Sequence, residues 1–186
     1  MRIVGGEFRG RSLATPRTND IRPTTDRTRE SLFNILSHAY PDALDGGRVL
    51  DLFAGTGAVG LEAMSRGCTQ GMFVEISTEG RGLLHTNIEA FGLQGRAKIL
   101  RRDATDLGRP GTIDPFGFVF ADPPYGHGLG EKALAKAAAH GWLVPGALAV
   151  LEERADIEPV LGAEFQLRDV RTFGETRMHF YRYANA

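Results

Sequence analysis

The segment "RVLDLFAGTGAVGLEAMSRG", residues 48 to 67, constrains the fold of this chain more than any other. It opens on an apolar run that reads as a strand, "RVLDLF". It passes through Gly55-Thr56-Gly57-Ala58-Val59-Gly60 and continues as a helix that Gly67 stops. A strand, a glycine-rich turn and a helix in that order begin a βαβ unit, whose crossover returns to a parallel strand. The chain downstream repeats the alternation. "GMFVEI", "AKILR", "FGFVFAD" and "GALAVLEE" read as four further strands. Helices are expected between them over 78 to 91, with Leu83, Leu84, Ile88 and Phe91 inward, and over "GEKALAKAAAHGW". Such alternation implies a parallel sheet covered on both faces. The end departs from it, because "FQLRDVRTF" and "RMHFYRYA" flank "GE" as an antiparallel hairpin would. The expected fold is therefore α/β: a doubly wound, Rossmann-like sheet, mostly parallel, with a C-terminal β-hairpin and a short N-terminal basic extension.

At 186 residues the chain suits one domain with a full core. The expected division is 1–40 for the extension and a helix, and 41–186 for the α/β domain. In "RPTTDRTRESLFNILSHA" Pro23 closes an extended entry, Thr24 or Thr25 can cap, and Leu32, Ile35, Leu36 and Ala39 share a face. The single cysteine, Cys68, excludes an intramolecular disulfide and favours a reducing cytoplasm. No signal-peptide-like core and no run of membrane-spanning length is present, so no membrane partner is expected. The five histidines are scattered without ligand spacing, so no metal is expected either.

The net charge of -1 hides an asymmetry. Residues 1 to 29 hold seven arginines against three acids, whereas the remainder holds 15 basic and 20 acidic residues. A basic arm on a mildly acidic body suggests a polyanion handled by one face, although a merely solvated N-terminus has the same composition. Of the 22 basic residues 19 are arginine, the side chain suited to bidentate phosphate contacts.

The chemistry concentrates at strand ends, where doubly wound sheets bind ligands. Glycines in the 55 to 60 loop allow close backbone approach, and Glu75, after the second strand, lies where ribose hydroxyls are usually held. A nicotinamide cofactor is one reading. Asp51 argues for another, because a carboxylate aimed into the loop repels a pyrophosphate but suits an ammonium group. S-adenosylmethionine carries an ammonium, a carboxylate and ribose hydroxyls, and no phosphate. The candidate cofactor residues are thus Asp51, Phe53, Ala54, Gly55, Thr56, Gly57 and Glu75. Asp103 and Ala104, after the third strand, can serve an adenine amino group with a carboxylate and a backbone group.

The fourth strand ends in Asp122-Pro123-Pro124-Tyr125. The exocyclic amine of a nucleobase is a poor nucleophile, since its lone pair is delocalised into the ring. Two acceptors, the Asp122 carboxylate and the Pro123 carbonyl, would draw it toward tetrahedral geometry. The prolines fix φ and hold those acceptors in place, and Tyr125 offers a flat face for an extruded base. No strong general base is required, because the nitrogen grows acidic as it bonds to methyl.

These motifs resemble the amino-methyltransferases, and more closely the bacterial 16S ribosomal RNA (guanine-966-N2) methyltransferase family. The resemblance rests on "MRIVGGEFRGRSL", "IRPTTDRTRESLFNIL", "DLFAGTGAVGLEAMSRG", "VE", "ADPPYG" and "FGETRMHFYRY", and spans nearly the whole chain. It implies S-adenosylmethionine as methyl donor and a guanine of 16S ribosomal RNA, within a small-subunit assembly intermediate, as acceptor. It also implies that Arg22, Pro23, Thr24 and Thr25 close over the methionine end of the cofactor. RNA would be gripped by Arg2, Arg9, Arg11, Arg27 and Arg29, with Arg177 on the last strand as a further contact, and the protein would act as a monomer. A DNA adenine-N6 methyltransferase and a non-catalytic RNA-binding assembly factor are the competing readings.

Overall fold

The computed structural model describes residues 1–17 and 24–184. Two expected cofactor contacts, Arg22 and Pro23, lie outside the described residues. The elements in order are α1 (Asp26–Ala39), β1 (Arg48–Asp51), α2 (Ala58–Ser65), β2 (Gln70–Val74), α3 (Thr78–Ala90), β3 (Ala97–Leu100), β4 (Phe116–Ala121), α4 (Leu129–Ala139), β5 (Leu143–Arg154), β6 (Phe165–Phe173) and β7 (Thr176–Tyr183). They form one seven-stranded sheet in the order β3-β2-β1-β4-β5-β7-β6. The first five strands pair in parallel, while β7 runs antiparallel to both β5 and β6. The expected mixed, doubly wound sheet with its terminal hairpin is what the chain builds.

Successive strand residues face opposite sides, and the core divides accordingly. Val49, Phe118, Phe120, Leu148 and Val150 point to the face covered by α1, α2 and α3. Leu50, Val119, Ala121, Ala149 and Leu151 point to the other, where α4 and Trp142 lie. Trp142 is fully buried and donates its indole N–H to Gly108 O at 2.8 Å. Residues 1 to 17 are not a loose arm: Ile3, Phe8 and Leu13 belong to the same cluster as α1 to α3. Thr25 caps α1 by accepting from Thr28 N at 3.1 Å.

Three elements differ from expectation. The buried face of α1 is Arg29, Leu32, Phe33 and Leu36, with Ala39 exposed, and Arg29 on that face bridges the N-terminal segment and α2. On α3 the buried positions are Gly80, Leu84, Asn87 and Ile88, and Leu83 is only half-buried. Asn87 is polar but satisfied: it donates to Thr56 O at 2.9 Å and accepts from Ala14 N at 2.7 Å. β5 begins earlier than the apolar run suggests, since Leu143 pairs with Phe116 before a register irregularity.

Candidate active site

The sheet order reverses at β1, with β2 on one side and β4 on the other, so β1 and β4 form the switch point where ligands bind. Asp51 pairs with Phe120, which sets Asp51 and Asp122 at the same end of adjacent strands. A cavity of about 490 Å³ opens there. Asp51, Phe53, Ala54, Gly55 and Thr56 line it from the loop after β1, and Glu75, Ile76 and Ser77 from the end of β2. Asp122 to Tyr125 and Thr24 close the far side.

Local structure explains why this loop takes glycines. Gly55 and Gly57 have φ of 55° and 83°, a region that side chains resist. A Cβ on Gly60 would sit 2.4 Å from the Phe73 ring, so α2 can lie on β2 only with glycine there. Glu75 organises the loop, accepting from Gly55 N at 2.7 Å and from Ser77 N at 2.9 Å. Each carboxylate oxygen retains a lone pair for a ligand hydroxyl. Asp51 is 2% exposed and accepts from Gly60 N at 3.2 Å. Burial pushes its pKa up to about 7; the Gly60 N–H opposes the rise and the Glu75 charge adds to it.

On the other side, Pro123 is buried and a Cβ on Gly130 would meet Leu151 at 2.3 Å, so the start of α4 is pressed onto the turn. Two glutamates at the end of β5 anchor it. Tyr125 donates its hydroxyl to Glu152 Oε1 at 3.0 Å, and Gly126 N donates to Glu153 Oε1 at 3.2 Å. Thr24 donates to Asp122 Oδ2 at 3.5 Å. Burial and the neighbouring Glu152 charge hold the Asp122 pKa well above the usual carboxylate value. Burial and the same acids raise Tyr125 as well, so its phenol stays protonated. A second cavity of about 320 Å³ shares Thr24, Asp122 and Tyr125 with the first and continues to Glu152, Phe173 and Thr176.

The cavity suits S-adenosylmethionine by its donor set. It pairs a buried, protonation-prone carboxylate at Asp51 with a carboxylate ready for hydroxyls at Glu75, and it adds an exposed apolar face, Ile76, 61% accessible. Among the described residues no cluster of His, Cys, Asp or Glu able to hold a metal is present.

Several expected residues take other places. Gly57 caps α2 rather than lining the cavity. Thr25 lines the second cavity. Asp103 is exposed beside the cavity; its Oδ1 accepts from Thr105 N and Oγ1 at 2.9 and 2.7 Å, capping a short turn. Ala104 is buried in the core behind that turn. Arg29 is corrected as an RNA contact. Its side chain is wholly buried, paired with Glu62 at 3.5 Å and Asp26 at 2.9 Å, and it donates to Thr24 O and Arg2 O. Arg2 is exposed but donates to Gly10 O, and Arg11 lies over the Phe91 ring at 4.7 Å. Arg9 and Arg27 are exposed, with no side-chain partner among the described residues, and Arg177 is half-buried.

Ile76, Ser77, Glu152 and Glu153 escaped the sequence reading. Glu152 and Glu153 had a signal, two acids ending the strand that must flank β4 in a doubly wound sheet.

The model of the family described as "Conserved hypothetical protein 95" matches residues 1–182. "Ribosomal RNA small subunit methyltransferase D" of Escherichia coli (strain K12) is 35% identical over 98% of this chain and 89% of that relative. The protein of the same name in Haemophilus influenzae is 30% identical over 98% of this chain and 93% of its own length. Among solved structures, one from Escherichia coli, provisionally named as methyltransferase yhhF, superposes with a TM-score of 0.84 at 31% identity. It covers 99% of this chain and 98% of its own. A fold, a strand-end cavity and a near-full-length likeness thus coincide, and the chain belongs to the Conserved hypothetical protein 95 family, that of the ribosomal RNA small subunit methyltransferase D proteins.

Proposed function

We propose that this protein transfers a methyl group from S-adenosylmethionine to the exocyclic N2 amine of a guanine in 16S ribosomal RNA. One observation carries the reading: Asp51 and Glu75 on one side, and Asp122 to Tyr125 on the other, line a single cavity. When bound, S-adenosylmethionine supplies a methyl carbon made electrophilic by its sulfonium. Asp51 receives the ammonium end, Glu75 the ribose hydroxyls, and Ile76 the adenine face. Thr24 stands beside Asp122 and closes the methionine end.

The residues of the turn act on the acceptor. Asp122 and the Pro123 carbonyl accept the two N2–H bonds, which localises the nitrogen lone pair. The N2–carbon bond forms as the carbon–sulfur bond breaks, and one N2 proton leaves to Asp122 or to water. A raised carboxyl pKa makes Asp122 the better acceptor of that proton. Tyr125 stacks on the base and is held in orientation by Glu152. The rest is in-line positioning.

Arg9 and Arg27, with Arg2, Arg11 and Arg177, contribute the phosphate contacts of the RNA face. A partly assembled small subunit presents the guanine, in a bacterial cytoplasm, to a monomer of the enzyme.

The test is methyl transfer from labelled S-adenosylmethionine to unmethylated small subunits, naked 16S RNA and duplex DNA, followed by digestion to nucleosides. Label in N2-methylguanosine from the ribosomal substrates is the expected result. Label in N6-methyladenine from DNA, or cofactor binding without transfer, overturns the reading.

A further inference from the structure

The second cavity shares Thr24, Asp122 and Tyr125 with the first. Its most unusual wall is Glu152. Ala121 pairs with Leu151 across β4 and β5, so the residues that follow, Asp122 and Glu152, stand side by side where β4 ends. Glu152 is 5% exposed, and its Oε1 is taken by the Tyr125 hydroxyl at 3.0 Å. Its Oε2 has no hydrogen-bond partner among the described residues. A buried carboxylate oxygen left unpaired is costly, and a purely structural acid would have both oxygens satisfied. Glu152 lines the 320 Å³ cavity, and its buried, unpaired oxygen calls for a donor from the occupant.

We infer that Glu152 selects the base: its Oε2 accepts the N1–H of the target guanine while Asp122 and the Pro123 carbonyl engage the neighbouring N2 amine. This rests on the guanine-N2 reading above. The chemistry of the base edge supports it. Guanine presents N1–H and N2–H side by side as donors, matching two adjacent carboxylates. Adenine presents a bare N1 acceptor at the same place, which would set a lone pair against a carboxylate. A turn of the Asp-Pro-Pro-Tyr kind handles either amine, so the discrimination must come from a neighbour, and Glu152 is placed to supply it. Burial raises the Glu152 pKa, and the hydroxyls of Tyr125 and Thr176 oppose the rise; an N–H donor from the base stabilises the ionised form further.

The experiment uses the full chain and RNA substrates carrying either guanine or 2-aminopurine at the methylated position. The second base keeps the N2 amine but turns N1 into an acceptor. Wild type is expected to prefer guanine by at least about tenfold in kcat/KM, as sites built to bond a donor reject analogues lacking it. Glu152→Gln, whose amide can donate to N1, should cut that preference by about tenfold with cofactor binding unchanged. Equal turnover of both bases by wild type overturns the inference without reference to any variant. So does a Glu152→Gln enzyme that slows on both substrates alike, which would mark a structural role. In either case transfer to guanine itself leaves the proposed function standing, whereas no transfer to guanine by wild type removes both.

Discussion

Asp51 and Asp122 are two acids in one cavity with opposite obligations. Asp51 is held by Gly60 N–H behind the cofactor loop, whereas Asp122 faces the second cavity beside Thr24. Asp122→Ala should therefore abolish methyl transfer while leaving cofactor affinity nearly intact, and normal turnover by this variant would overthrow the mechanism. Asp51 behaves differently because its pKa of about 7 in the folded protein exceeds its ordinary value of 3.8. The folded state then binds more protons than the unfolded one between those values, and stability falls as pH rises through that window. Asp51→Asn removes the penalty and keeps an acceptor for Gly60. The ligand-free variant should be more stable than wild type at pH 8, by about 2 to 4 kcal/mol, with the gap closing toward pH 5. Its cofactor affinity should be weaker at pH 8 and lack the rise across pH 7 expected of wild type. Urea unfolding and calorimetric titration at both pH values measure this; a variant no more stable at pH 8 would refute the assignment.

At the scale of elements, one carboxylate ties three segments together. Glu62 of α2 is fully buried and accepts from Val4 N, Gly5 N, Arg29 Nε and Arg66 Nε, at 2.9, 3.0, 3.5 and 2.9 Å. Arg29 in turn donates to the carbonyl of Thr24, whose hydroxyl meets Asp122. The N-terminal segment, α1 and the cofactor loop's own helix thus share a single polar hub. Glu62→Ala leaves Arg66 without its carboxylate and the wholly buried Arg29 with Asp26 alone, and should cost about 3 to 5 kcal/mol of stability by urea unfolding. A loss below about 1 kcal/mol would mean the hub is not what holds the segment. Periodicity made α1 legible, and in hindsight its phase also placed Arg29 one turn before Leu32 and Phe33, on the buried face. Counting arginines by composition assigned it to RNA, because charge tallies carry no information about phase. Asn87 was missed for a related reason: a polar residue at an inward position is explained only by the Ala14 and Thr56 groups it meets, distant in sequence.

For the whole molecule, the topology made most of the site legible, because a doubly wound sheet gathers strand ends at one edge wherever they occur in sequence. Asp51, Glu75 and Asp122 could be placed that way. Glu152 was open to the same argument, as an acid ending the strand beside β4, whereas Ile76 was not, since its role depends on which face a loop leaves open. The basic N-terminal segment is the remaining large-scale feature, and it is neither a loose tail nor a uniform grip. Its apolar residues anchor it, Arg29 is spent internally, and Arg11 is shared with the Phe8 and Phe91 rings. Arg9 and Arg27 are left facing solvent, which makes them the strongest candidates for phosphate contacts. Arg9→Ala with Arg27→Ala should weaken binding to unmethylated small-subunit RNA and reduce the slope of log affinity against log salt by roughly 1 to 2. Folding and cofactor affinity should not change, because neither side chain has a partner among the described residues. A weaker complex with an unchanged slope would mean that these arginines act through shape, not through phosphate, and that the RNA face lies elsewhere on the molecule.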